Sequence, residues 1–85
     1  MYYANHIPSR TVLAAIGSMT GAVKAQRALL AAGIAAEVVA LAPEQTRRGC
    51  AYGVEFSAAV SADARATLRT ARIAVSQYIE KDTPS

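Results

Sequence analysis

The chain has 85 residues, 53% of them hydrophobic, one cysteine, one histidine and a formal net charge of +3. A chain of this length forms one domain that buries only about 60–65% of its unfolded surface, so a deep catalytic cleft is not expected. A lone cysteine excludes an intramolecular disulfide, and with a single histidine it excludes a structural zinc site within one chain. The sequence therefore predicts no metal and no cofactor.

The basic residues are spread along the chain rather than gathered in a stripe with stacking aromatic residues, which argues against nucleic-acid binding. The longest apolar window, residues 28–42, is interrupted by Gly33 and Glu37. It is shorter than the roughly 20 residues that span a bilayer, so no membrane partner is predicted. Residues 1–10 lack the basic start and apolar run of a signal peptide. We therefore expect a cytoplasmic protein.

The division of the chain follows its breaks in pattern. Pro8 interrupts the N-terminal segment, and the last five residues are polar. The sequence predicts a flexible leader over residues 1–10, a single α+β domain over residues 11–80 and a tail over residues 81–85.

The first two elements are a strand and a helix. An unbroken apolar run over residues 12–16 predicts a strand that is buried on both faces. A helix is predicted over residues 20–32, where the hydroxyl of Ser18 or Thr20 can cap its start. Gly33 can supply the left-handed residue that ends many helices. Within this helix, one polar residue of the apolar arc, the glutamine at position 26, requires a hydrogen-bond partner if it is buried.

Two strands are predicted on either side of the longest loop. Residues 34–41 form the second strand, with Glu37 on its more exposed side, and residues 42–49 form a polar loop that contains Pro and Gly. Residues 50–56 alternate as a half-buried third strand, with Cys50 on the same side as three large side chains, namely Tyr52, Val54 and Phe56.

The last two predicted elements are a second helix and a fourth strand. A second helix is predicted over residues 62–70, capped by Ser61 and favoured by Asp63 near its positive end, and a last strand over residues 72–79. The order strand, helix, strand, strand, helix, strand is that of the ferredoxin-like split βαβ fold, a four-stranded antiparallel sheet with both helices on one face. A homodimer is expected through the other face or through an edge strand.

Cys50 is the candidate for chemistry in this chain. It follows Arg47, Arg48 and Gly49; the two guanidinium groups favour the thiolate, which is the nucleophile, and the glycine lets a reacting group approach closely. The competing interpretation is an inert core thiol, because a lone cysteine at the start of a strand commonly serves as a small apolar residue. The local pattern leaves both open.

A resemblance favours the reactive interpretation. The segment of residues 17–34, which reads GSMTGAVKAQRALLAAGI, with Pro43 and Gly49-Cys50 after it, resembles a small bacterial family described as selenium or sulfur carrier-like proteins. The similarity covers residues 11–79. The family pattern has Gly after the cysteine, where this chain has Ala51, and Glu at the position of Gln26.

The resemblance implies a sulfur or selenium carrier that uses Cys50 in a persulfide-type relay between donor and acceptor proteins. Arg47, Arg48 and Gly49 would support the thiol, together with the hydroxyl-bearing residues before and within the first helix turn, Ser18 and Thr20. Such a protein is a carrier or binding protein rather than a turnover enzyme.

Two other functions remain open. One is a non-catalytic ferredoxin-like module that dimerises or docks on a partner and has an inert cysteine. The other is anion binding at the turn of residues 18–21, although capping alone accounts for hydroxyl residues there. An acid–base enzyme is disfavoured, because no spacing of the carboxylates marks a paired site.

Overall fold

The structure, a computed structural model, describes residues 9–42 and 51–83. Within these ranges the elements follow the predicted order of strand, helix, strand, strand, helix and strand. A 3-10 turn at Ala58–Val60 leads directly into the second helix. The bounds are β1 Ser9–Ala15, α1 Met19–Ala31, β2 Glu37–Ala40, β3 Tyr52–Ser57, α2 Ser61–Thr70 and β4 Gln77–Thr83.

The four strands form one antiparallel sheet in the order β2-β3-β1-β4. β1 is central, and its Ala14 pairs with Val54 of β3 on one side and with Tyr78 of β4 on the other. β2 and β4 are the edge strands. The architecture is the α+β ferredoxin-like class that the sequence predicted.

The main core lies between the sheet and the two helices. Alternate side chains of β3 point into this core, as the sequence predicted: Val54 is 0% and Phe56 2% exposed. The helices contribute mostly alanines, whose small side chains allow a close approach to the sheet. The fully buried helix residues of this cluster are Ala22, Ala25, Leu29, Ala64 and Leu68.

A second apolar cluster lies on the opposite face of the sheet. Leu13, Ala15 and Leu41 are 3%, 0% and 8% exposed, and Val39 and Ile79 pack against them. β1 is thus buried on both faces, as predicted. The centre of this face of the sheet is therefore apolar and buried.

Gln26 has the hydrogen-bond partner that its position requires. Its Nε2 donates to the carbonyl oxygen of Ala36 at 3.0 Å, which joins the side of α1 to the residue before β2. The glutamine is half-buried, so this bond satisfies an amide group that packing partly removes from water.

Both helices end in the same backbone motif. After α1, Gly33 adopts a φ of +81° and Ile34 N–H donates to Leu29 O at 2.8 Å. After α2, Arg72 adopts a φ of +61°, and Ile73 N–H donates a hydrogen bond of 3.0 Å to the helix carbonyl oxygen five residues earlier. These are the left-handed residue and the 6→1 bond of the Schellman motif.

This motif corrects the prediction of the last strand. Residues 72–76 form the helix end and a connection, not a strand, because the left-handed Arg72 turns the chain. β4 begins at Gln77 and pairs with β1 as far as Thr83. The start of β1 is likewise earlier than predicted, at Ser9.

Ser61 does not cap α2, so this part of the prediction is wrong. The N-cap position is Val60, which makes no side-chain cap bond, since the chain enters α2 from the 3-10 turn. Ser57 Oγ instead accepts from Ala59 N–H at 3.2 Å and caps that turn. Ser61 Oγ accepts from Arg65 Nε at 3.3 Å.

Arg65 also links α2 to the edge of the sheet. The central carbon of its guanidinium lies 4.2 Å from the ring centroid of Tyr78 on β4, a cation–π contact. This contact fixes the orientation of the ring on the helix-covered face.

Candidate functional site

The candidate site lies at the end of the sheet where β1 finishes, α1 begins and β3 starts. The backbone N–H groups of Ile16 and Gly17 both donate to the carbonyl oxygen of Tyr52, at 3.0 and 2.9 Å. Gly17 adopts a φ of +117°, a region that side chains other than hydrogen rarely allow. The turn before α1 is therefore held against the first residue of β3.

Ser18 is the N-cap of α1, as its residue type predicted. Its backbone is extended, with φ −105° and ψ 153°, and its Oγ accepts from Gly21 N–H at 2.9 Å. Thr20 is exposed in the first turn, and the cap bond of α1 is made by Ser18 rather than by Thr20. Of the two predicted hydroxyls, Ser18 is the one that starts the helix, and the positive end of the helix dipole lies at this turn.

Gly53 allows β3 to lie very close to β1. A Cβ on Gly53 would overlap the carbonyl oxygen of Ala14, and it would lie 3.1 Å from the carbonyl carbon of Ala14 and 3.3 Å from Cα of Ala15. The obstacle is backbone rather than a flexible side chain. The sequence pattern did not single out Gly53, because this contact depends on the register of two distant strands.

Ser76 fixes the start of β4 at the same end of the sheet. Its backbone N–H and its Oγ both donate to Ala15 O, at 2.9 and 3.1 Å. The sequence analysis did not select this residue, since a serine before a strand carries no specific signal. Hydrogen bonds thus connect the end of β1 to the starts of β3 and β4 and to the turn before α1.

The hairpin between β2 and β3 closes next to the predicted reactive residue. Leu41 N–H donates to Ala51 O at 2.8 Å, and Ala51 is exposed. Ala51 is the chain neighbour of Cys50. The predicted site residues at positions 47–50, namely Arg47, Arg48, Gly49 and Cys50, lie outside the described residues, and Ser18 and Thr20 lie within them.

Two carboxylates meet on the sheet in a way that the sequence spacing did not indicate. Glu37 of β2 and Glu55 of β3 are direct cross-strand partners. Thr11 Oγ1 donates to Glu55 Oε2 at 2.9 Å. Like charges that face each other directly across two strands destabilise a sheet. The hydrogen bond from Thr11 stabilises one of the two carboxylates, that of Glu55. With Glu37 exposed, this pair has the environment of a solvated sheet edge.

The described part of the chain contains no group of three His, Cys, Asp or Glu residues placed to hold a metal ion. In the same ranges, no helix has the length and apolar character of a membrane span. The chemistry available at the described end of the sheet is that of backbone N–H groups, hydroxyls and the positive helix end.

Fold and site together define a ferredoxin-like domain whose only cysteine lies two residues before Tyr52, the first residue of the central strand β3. Residues 11–80 match the family model described as "Putative Se/S carrier protein-like". The chain therefore belongs to this family, which confirms the resemblance. No curated protein and no solved structure matches the chain.

Proposed function

We propose that this protein carries a sulfur or selenium atom on Cys50 and passes it to an acceptor protein. The observation that carries the proposal is the family match over residues 11–80 of a chain with a single cysteine. Within such a family, that thiol is the one side chain of this protein able to form a covalent bond with a transferred chalcogen.

The proposed reaction is an exchange of sulfane sulfur. The thiolate of Cys50 attacks the outer sulfur of a donor persulfide, a Cys50 S–S bond forms, and the donor S–S bond breaks to release the donor thiolate. A nucleophilic acceptor then attacks the outer sulfur, and Cys50 leaves as its thiolate. No external oxidant or reductant is needed, because the sulfur moves at constant oxidation state. A donor with terminal selenium reacts in the same way.

The surroundings of Cys50 in the chain support this role. Arg47 and Arg48 precede it, and cationic neighbours lower the pKa of a thiol. Two residues after it, Tyr52 is joined by backbone hydrogen bonds to the turn that starts α1. The positive end of that helix also favours an anion nearby. Ala51, the residue between Cys50 and β3, is exposed at the protein surface.

The test is direct detection of the carried atom. The full chain is incubated with a cysteine desulfurase and free cysteine, and the Cys50 peptide is examined by mass spectrometry after trapping of persulfides. We expect the mass of one added sulfur on this peptide and its loss after addition of an acceptor thiol. A Cys50→Ser protein that carries equal sulfur would end the proposal.

The alternative function, a docking module with an inert cysteine, has one observation in its favour. Met19 and Leu30 are 50% and 52% exposed on α1, and large exposed apolar side chains often mark a contact surface. Under this alternative, Cys50→Ala leaves partner binding and cellular phenotype intact. Under the carrier proposal, it abolishes sulfur transfer while the fold is retained.

A further inference from the structure

The face of the sheet without helices is shielded more completely than its neighbouring side chains explain. Leu13 is 3% exposed, although its cross-strand partners Glu55 and Ile79 are only half-buried and lie beside it rather than above it. Side chains of a strand stand roughly perpendicular to the sheet. Neighbours in the same row therefore shield the sides of a leucine, whereas its end stays open to water unless a further layer lies over it.

The next row of the same face also requires a covering layer. Ala15 is 0% exposed and pairs with Gly53, which has no side chain and is itself buried. Val39 is the partner of Gly53 on the other side and packs against this cluster from β2. Over β1, where the two small residues form a depression, the atoms that shield Ala15 come from above the sheet.

The covering layer belongs to this chain. The exposures are those of a single chain, and within residues 9–42 and 51–83 both helices and the 3-10 turn pack into the core on the other face. Three segments lie outside these ranges: residues 1–8, which precede β1, residues 43–50, which join β2 to β3, and residues 84–85.

We propose that residues 1–8 fold back over the helix-free face and that Tyr2 and Tyr3 cover Leu13 and Ile79. The segment reads MYYANHIP, so it brings two aromatic rings and an isoleucine to an apolar face. Residues 43–50, which read PEQTRRGC, are mostly polar. They leave the sheet at β2, whereas Ile79 lies in β4 at the opposite edge.

The length of the segment fits this path. The segment enters β1 at Ser9, and about 13 Å of strand separates Ser9 from Leu13. With residues 7–8 in the turn, about four further extended residues return over the same distance and bring Tyr3 to the level of Leu13, with Tyr2 beside it. Pro8 suits the turn, because it has no N–H group that would lose a partner there.

The charges of the face are compatible with this segment. Glu55 lies in the same row as Leu13, and Glu37 is its partner on the other side. Residues 1–8 contain no acidic residue, so they bring no third negative charge to this pair. A tyrosine fits here in two ways, since its ring covers apolar side chains and its hydroxyl can donate to a carboxylate.

The proposal gives the helix-free face an occupant from the same chain. The fold alone leaves this face open to a partner. With residues 1–8 in place, a partner would instead meet the outer side of this segment. The inference does not depend on the carrier role of Cys50.

The test is nuclear magnetic resonance on the full chain, with reductant present so that Cys50 cannot join chains by a disulfide. We expect nuclear Overhauser contacts between the ring protons of Tyr2 or Tyr3 and the methyl protons of Leu13 or Ile79. Contacts to Leu13 from residues 43–49 in their place would overturn the proposal. Random-coil chemical shifts throughout residues 2–7 would overturn it as well.

A pair of substitutions gives a second readout. Tyr2→Ser together with Tyr3→Ser removes both rings, so we expect the fluorescence of ANS, a dye that binds exposed apolar surface, to rise several-fold. Asn5→Ser, in the same segment, is the matched control and is expected to leave the fluorescence unchanged. Circular dichroism checks that both variants fold. Equal fluorescence in the folded tyrosine variant would contradict the proposal, and the contacts in the wild-type chain decide the question if that variant does not fold.

Discussion

The backbone N–H of Gly17 donates to the carbonyl oxygen of Tyr52 at 2.9 Å and joins the turn before α1 to the start of β3. These residues are far apart in the sequence, and the bond brings the capped, positive end of a helix to the strand that follows Cys50.

Ser18→Ala tests the cap of α1. The substitution removes the acceptor for Gly21 N–H, and loss of an N-cap side chain costs about 0.5–2 kcal/mol. We expect the free energy of unfolding, measured by urea denaturation, to fall by this amount and Ser18→Asp to retain most of it. Thr20→Ala is the control, because Thr20 is exposed and does not make the cap bond. An equal loss for both variants would show that Ser18 has no special role.

Gly53→Ala tests the close approach of β3 to β1. The added Cβ meets the backbone of Ala14 and Ala15, which cannot move away as a side chain can. Overpacking typically costs about 1–3 kcal/mol, and we expect the upper part of this range in the free energy of unfolding. Ala51→Ser, an exposed change two residues earlier, is expected to stay within about 0.5 kcal/mol. A fully stable Gly53→Ala protein would contradict the described register.

Arg72→Gly tests the left-handed end of α2. A non-glycine residue in this region costs about 1–2 kcal/mol, of which the greater unfolded-state entropy of glycine offsets about 0.5–1 kcal/mol. With Arg72 at a φ of +61°, we expect a net gain in thermal stability. Arg69→Gly, within the last turn of the helix, is expected to have the opposite sign and cost about 1 kcal/mol. A loss of stability at both positions would refute the assignment.

Arg47→Gln and Arg48→Gln test the cationic support of the thiol. Removing a positive charge near a thiolate raises the pKa of the thiol, so less thiolate is present at a given pH. We expect the alkylation midpoint of Cys50 to move upward and the rate at neutral pH to fall several-fold for the double variant. Arg27→Gln, an exposed change on α1, serves as the control. Identical midpoints in all these proteins would show that the two arginines do not affect the pKa of the Cys50 thiol.

The sequence predicted those features that local chemistry determines. α1 and its end at Gly33 follow from helical periodicity and a glycine, and the alternation of β3 follows from Val54 and Phe56. The last strand was placed too early because an arginine, Arg72, occupies the left-handed position where glycine is usual. Without that glycine, alternation of apolar residues at positions 73, 75 and 79 resembles a strand.

The rest of the candidate site depends on register, which the sequence does not encode locally. The double acceptor at Tyr52 and the pair of Glu37 with Glu55 exist only because particular residues face each other across strands. Ser18 could be selected by residue type because a cap acts within one turn. For Arg47, Arg48, Gly49 and Cys50, the site remains a prediction from sequence and family.

The most direct test of the central claim is the pH dependence of Cys50 alkylation by iodoacetamide in the folded wild-type protein. Cys50 is the only cysteine, so the rate reports on this thiol alone. If Cys50 is a carrier thiol, we expect full modification with a midpoint well below the free-thiol pKa of about 8.5. Protection at every pH, with modification only after denaturation, would show a core thiol and contradict the carrier role.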